Sequence, residues 1–384
     1  MAGRGSAAAA VLLAVLVTLS GCGTSGGAAG SSSAAASAGS VQSSASASIG
    51  TSENNAAASD TEDAAAEGES LTAASGDTSA EEAGTQALAA DGAVTFTDDL
   101  DRTVTVDHPK KVAVLIGSFV DVWCLAGGKD SIVAAADDTW TAFDLGLPDS
   151  VVNIGGVKSP DAEKILSADP DFIIASSNTQ EDIDLQETFE KAGIPTAYFD
   201  VSSFEDYLHM LKICTQITGD SAAYEQYGTK VQQQVEDARE KAKSALDGGA
   251  MAPTCLYVRA SSIGVKVKGS SGNVLGEMLK DLGAVNIADS DTSLLDNLSL
   301  ESIIAQDPDF IFAVEQASTE DKKKETDEAL SKALTSQPTW SSLSAVKNNR
   351  YYIMDESLYN LKPNARWGEA YEKLENILYG DGQQ

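Results

Sequence analysis

Few residues in this chain could do chemistry. It holds two histidines, His108 and His209, and four cysteines, Cys22, Cys124, Cys214 and Cys255, none in a Cys-x-x-Cys spacing. Neither a zinc ribbon nor a disulfide framework is indicated, and two imidazoles cannot build a histidine-rich metal cage. No serine–histidine–aspartate, cysteine–histidine or phosphate-loop arrangement is present, and Gly269 to Gly272 resembles neither a nucleophile elbow nor a Walker loop. What stands out is a pair of carboxylates in matching contexts. When Asp161–Ile174 is laid over Ser299–Phe312 at an offset of 138 residues, Glu163 falls on Glu301 and Ile165 on Ile303. The Asp-Pro-Asp-Phe-Ile run ending at Ile173 falls on the same run ending at Ile311. One carboxylate in each half could accept charge-assisted bonds from two guanidiniums simultaneously. The plain alternative is that both are ordinary exposed helix glutamates.

Each repeat reads as a short helix stopped at an Asp-Pro turn and followed by a buried strand. Self-similarity at this distance predicts two lobes of like design rather than a solenoid. Val94–Thr97 and Thr103–Val106 alternate like a β-hairpin. Strands are expected at 112–116, 132–136, 151–154, 172–175 and 196–199, with helices at 118–126, 181–192 and 204–218 and a loop carrying Trp140 and Phe143. Residues 254–258, 265–267, 310–312 and 350–354 read as strands of a second lobe, with helices at 274–282, 322–333 and 364–379. Strands alternating with helices predict an α/β fold with mainly parallel sheets. Between the lobes, Tyr224, Tyr227, Val231, Val235, Ala238, Ala242 and Ala245 recur at helical spacing. They predict one rigid connecting helix of roughly 40 Å, a coiled-coil partner helix being the alternative. The boundaries so drawn are 93–220 for the N-terminal lobe, 221–247 for the connecting helix and 248–384 for the C-terminal lobe.

The net charge of −32 argues against nucleic acid, which asks for a basic face. Residues 1–22 read as an export signal: Arg4, then the apolar run Ala7 to Val17, too short to span a membrane as a mature helix. Residues 23–92 are Ser, Ala, Gly, Thr and acids. Up to residue 90 they carry nine Asp and Glu and no Lys or Arg, so this stretch is expected to be a disordered, self-repelling tether.

Leu19 to Cys22 resembles the lipobox of bacterial lipoproteins, which implies cleavage before Cys22 and a lipid on its thiol; a plain signal peptide containing a cysteine is the alternative. Together with two α/β lobes and a helical spine, this resembles the helix-linked substrate-binding proteins of bacterial ABC importers for iron-siderophore, haem and cobalamin. The resemblance covers residues 94–380. It rests on Thr97 to Arg102, Leu125 to Gly128, Gly156 to Ile165, the two Pro-Asp strands, Gly283 to Ile287 and Pro363 to Tyr371, in that order; Asp101 stands where the family usually has glycine. It implies a non-enzymatic, monomeric receptor with these partners: a permease dimer with its ATPase, a small-molecule metal chelate as cargo and a membrane reached through Cys22, with no resident cofactor. It also implies that Glu163 and Glu301 dock onto permease arginines. The expected location is the extracytoplasmic face of a bacterial, Gram-positive, cell membrane. The sister class that binds bare zinc or manganese needs converging histidines that this chain lacks. A surface enzyme or adhesin on the same scaffold is the competing reading, since fold does not fix function.

Ligand sites in α/β sheets lie beyond the carboxyl ends of strands. The candidates falling there are Ser118, Trp140, Lys158, Ser176, Arg259, Glu315, Glu356 and Tyr359, with Arg366 in the closing helix. Trp140 and Tyr359 offer flat apolar faces; Lys158, Arg259 and Arg366 offer positive charge to an anionic chelate.

Overall fold

The structure is a computed structural model describing residues 87–88, 92–317 and 319–380. The expected export signal, Cys22 and nearly all of the 23–92 segment lie outside the described residues. A short strand falls inside the expected tether: β1 (Ala87–Leu88) pairs antiparallel with β2 (Val94–Thr97), which forms the expected hairpin with β3 (Thr103–Val106).

The N-terminal lobe holds a wholly parallel five-stranded sheet. In spatial order it runs β6 (Val152–Asn153), β5 (Ile132–Ala135), β4 (Val112–Val114), β7 (Phe172–Ser176) and β8 (Thr196–Phe199). The central strands β4 and β7 are buried at every residue, as apolar runs covered by helices on both faces must be. The second sheet contains β9 (Thr254–Ser261), β10 (Gly264–Lys268), β11 (Val285–Asn286), β12 (Phe310–Glu315) and β13 (Tyr351–Met354). All its pairings are parallel except the β9–β10 hairpin.

The connecting helix Lys230–Asp247 is preceded by Ser221–Tyr224 and one π-turn, Glu225–Thr229, so the spine carries a wider turn where unbroken α-helix was expected. It buries Val231, Val235, Ala238 and Ala242. These four belong to one apolar cluster that includes Phe119, Phe172 and Phe199 of the first lobe and Tyr257, Phe310 and Trp367 of the second. Two smaller differences have local causes. Leu185 ends one short helix and opens another, dividing the expected 181–192 helix, and the Trp140 loop coils into Asp138–Thr141.

The repeated Asp-Pro-Asp motif does two jobs in each lobe. Its first aspartate, Asp169 or Asp307, takes a left-handed backbone (φ 53° and 43°) that ends the helix, a conformation aspartate tolerates better than most residues. Its second aspartate pins the start of the neighbouring central strand. Asp171 accepts the Lys110 and Lys111 N–H groups, each at 2.9 Å, just before β4. Asp309 accepts the Thr254 N–H at 2.9 Å and its hydroxyl at 2.8 Å, at the start of β9. The motif therefore sets the register between the two middle strands of each sheet.

Candidate functional site

A helix joining two parallel strands runs antiparallel to them, so it starts on the rim where strands end. Glu163 and Glu301 are each the second residue of such a helix, Ala162–Ser167 and Leu300–Gln306. Asp161 caps the first by accepting the Glu163 and Lys164 N–H groups; Ser299 caps the second by accepting that of Ser302. Both glutamates are exposed, and among the described residues neither carboxylate has an ion-pair partner.

Between these rims, side chains from both lobes converge on Lys362, in the segment joining Glu356–Tyr359 to the last helix. Its half-buried ammonium feels Asp138 and Asp200 from the first lobe and Arg259 from the second. Burial first, and Arg259 after it, hold its pKa below the ordinary lysine range. Among the described residues it has no hydrogen-bond or ion-pair partner. Asn364, two residues on, is completely buried and fastens this segment to the first lobe, donating to the Ser118 carbonyl and to an Asp121 carboxylate oxygen, both at 2.8 Å.

The first-lobe wall is acidic and partly dry. Burial pushes the Asp138 carboxyl up to about 6, although one oxygen accepts the Gly117 N–H at 2.9 Å. Asp182 is fully buried and pushed up to about 7, again chiefly by burial, with Glu181 adding to it. One of its oxygens accepts the Ser176 N–H at 2.8 Å, while the other has no partner. Trp140 stands out from this wall at 42% exposure, uncommon for so large an apolar ring.

Of the residues expected from sequence, Arg259 and Glu356 come to the cleft, and Trp140 is exposed on the short helix that carries Asp138. Arg259 donates to the Tyr257 hydroxyl at 3.2 Å, and its Nε is buried without a partner. Burial raises the Glu356 pKa; its carboxylate accepts from the Ala317 N–H at 3.4 Å and Asn360 at 3.3 Å. Lys158 is exposed and paired loosely with Glu181 at 3.4 Å.

The others are engaged elsewhere. Tyr359 is 2% exposed and donates to the Ala370 carbonyl at 3.0 Å, so its ring packs in the second-lobe core rather than offering a face to a ligand. Ser118 and Ser176 are buried; the Ser118 hydroxyl has no partner among the described residues, while that of Ser176 accepts the Asn178 N–H. Glu315 is held by Lys323 at 2.9 Å, and Arg366 grips Glu369 through two bonds of 2.7 and 3.1 Å on the surface. Sequence reasoning missed Lys362, Asp138 and Asp182. The only available signal was the adjacency of Asp138 to Trp140 on a strand-end loop.

The model of the periplasmic binding protein family matches residues 112–358, from β4 to the short helix after β13. The chain belongs to the periplasmic binding protein family. A Bacillus subtilis relative named as the uncharacterized ABC transporter substrate-binding lipoprotein YvrC is 24% identical over 291 residues, 75% of this chain and 86% of that protein. Two solved structures share its fold. Staphylococcus aureus SirA complexed with staphyloferrin B aligns with a TM-score of 0.56 at 24% identity, covering 74% of this chain and 97% of SirA. The haem-binding protein RhuT from Roseiflexus aligns with a TM-score of 0.56 at 20% identity, covering 72% and 99%.

Proposed function

We propose that this periplasmic binding protein is the lipid-anchored receptor of an ABC importer, taking a metal chelate into the cleft between its lobes and delivering it to a permease dimer driven by an ATPase. One observation carries the reading. Lys362, without an ion-pair partner among the described residues, feels Asp138 and Asp200 of the first lobe and Arg259 of the second, and Trp140, two residues from Asp138, is exposed. An unpaired half-buried ammonium is costly unless an anion completes it, and an exposed indole gains by stacking on a flat ligand. The relatives agree in kind: a substrate-binding lipoprotein, a complex with staphyloferrin B and a haem-binding protein.

In this reading the metal chelate is cargo and the protein catalyses nothing. Glu163 and Glu301 form the docking pair, matched in position and without ion-pair partners among the described residues. Cys22 carries the anchor, and the acidic tether gives the receptor reach from the extracytoplasmic face of a Gram-positive membrane.

The test is thermal unfolding of the purified protein with ferric siderophores, haem and cobalamin. A ligand present at one hundred times its dissociation constant stabilises the native state by about 2.7 kcal/mol, and the unfolding temperature rises accordingly. No shift with any chelate class would overturn the assignment.

A further inference from the structure

Pairing in the β9–β10 hairpin places Lys266 directly opposite Arg259 and Lys268 opposite Tyr257. Side chains alternate along a strand, so Tyr257, Arg259 and Ser261 share a face with Gly264, Lys266 and Lys268, while Val258, Ala260, Val265 and Val267 turn into the second-lobe core. Three cations are thereby gathered on one face, two of them directly opposed, an arrangement that disfavours the hairpin. None is neutralised: among the described residues Arg259, Lys266 and Lys268 form no ion pair. Burial lowers the pKa of Lys268, and Arg259 and Lys266 lower it further. In a chain of net charge −32, with carboxylates plentiful elsewhere, these three cations have no carboxylate partner among the described residues.

The same residues line a cavity of about 360 Å³ with Ser261, Ile263 and Gln316. Gln316 follows β12 and donates its N–H to the Ala260 carbonyl, so the cavity opens at the carboxyl ends of β9 and β12, on the cleft side of the lobe. Arg259 connects it to the cleft, acting electrostatically on both Lys362 and Glu356. Glu356 does not neutralise it, lying beyond ion-pair distance and bonded to the Ala317 N–H and Asn360.

We infer that the β9–β10 hairpin is an anion-binding subsite of the cleft, where Arg259, Lys266 and Lys268 hold the anionic oxygens of the cargo and so select negatively charged chelates over neutral or cationic ones. Arg259 can meet a carboxylate with two parallel bonds; the lysines act as mobile point charges around it. Ile263, almost fully exposed at the hairpin tip, supplies an apolar edge to the same cavity. The inference rests on the receptor reading and narrows its ligand.

The experiment titrates the purified protein, followed by tryptophan fluorescence, with four probes: ferric citrate, a ferric tricatecholate, haem and the neutral ferric trihydroxamate ferrichrome. At least one anionic probe should bind more tightly than ferrichrome, and its affinity should fall as salt is raised. Lys266 is exposed and Lys268 half-buried, so Lys266→Gln with Lys268→Gln retains the fold, checked by circular dichroism. This pair of changes should weaken the anionic probe by roughly tenfold or more and leave any ferrichrome binding unchanged. Wild-type affinity in the double variant, or tighter binding of ferrichrome than of every anionic probe, overturns the subsite and leaves the receptor reading standing. Absence of binding by all four probes and by cobalamin overturns both.

Discussion

Asp182 gives the sharpest quantitative test of the first-lobe wall. Its carboxyl is fully buried, has one oxygen without a partner, and is pushed from an ordinary 3.8 to about 7. Because the folded pKa is raised, the folded chain holds this proton where the unfolded chain has lost it. Stability from this group is therefore greatest below the unfolded value and falls as pH rises towards 7, then levels off. At about 1.36 kcal/mol per pKa unit, the ionised group costs on the order of 4 kcal/mol above that point. Asp182→Asn resembles the protonated acid: its carbonyl can still accept the Ser176 N–H, and its amide occupies the place of the unpartnered O–H. The variant should escape the ionisation cost. Its stability advantage over the parent should grow by roughly 3 kcal/mol between about pH 5 and about pH 8. Urea unfolding at several pH values reads this directly, kept clear of the sequence pI of about 4.2 where a chain without net charge precipitates. Parallel stability profiles for parent and variant would refute the reasoning, as would a variant less stable at the higher pH.

Three further outcomes are expected. Glu163→Ala with Glu301→Ala should abolish chelate uptake by vesicles carrying the permease and ATPase, with chelate affinity unchanged; a large loss of affinity would place these residues in binding instead. Asp309→Ala should cost about 1–3 kcal/mol in thermal unfolding, because the Thr254 N–H and hydroxyl lose their acceptor, and Asp171→Ala should cost less because its bonds lie at the exposed surface. Trp140→Ala should cost about 1–2 kcal/mol of stability, since the ring is only partly covered at 42% exposure, and weaken a stacking chelate roughly two- to tenfold, measured by calorimetric titration.

What could be read from sequence was local. Glu163 and Glu301 declared their equivalence because capping, helix and Asp-Pro turn are all encoded within a dozen residues, and the buried strands followed as unbroken apolar runs. The cleft resisted for the opposite reason. Lys362 matters through Asp138, Asp200 and Arg259, which lie more than one hundred residues away in the chain and meet it only through tertiary packing. Tyr359 and Trp140 are both aromatics near strand ends, yet one is sealed by the last helix and the other stands in solvent, a difference no local pattern carries. The hairpin cations were nearer to being legible. Alternation from Gly264 to Lys268 places both lysines on one face, and only the register with Arg259 was needed to bring all three together.

The continuous apolar core through the spine, together with the Asn364 fastening, has a consequence for transport kinetics. Large hinge motion between the lobes would have to shear Val231, Val235, Ala238 and Ala242 from neighbours in both, so empty and loaded receptors keep nearly the same outline. If Glu163 and Glu301 dock as proposed, two carboxylates at a constant separation would greet the permease whether or not cargo is aboard. Unloaded molecules would then compete for the same landing site, and uptake should pass through an optimum as receptor abundance rises at limiting cargo.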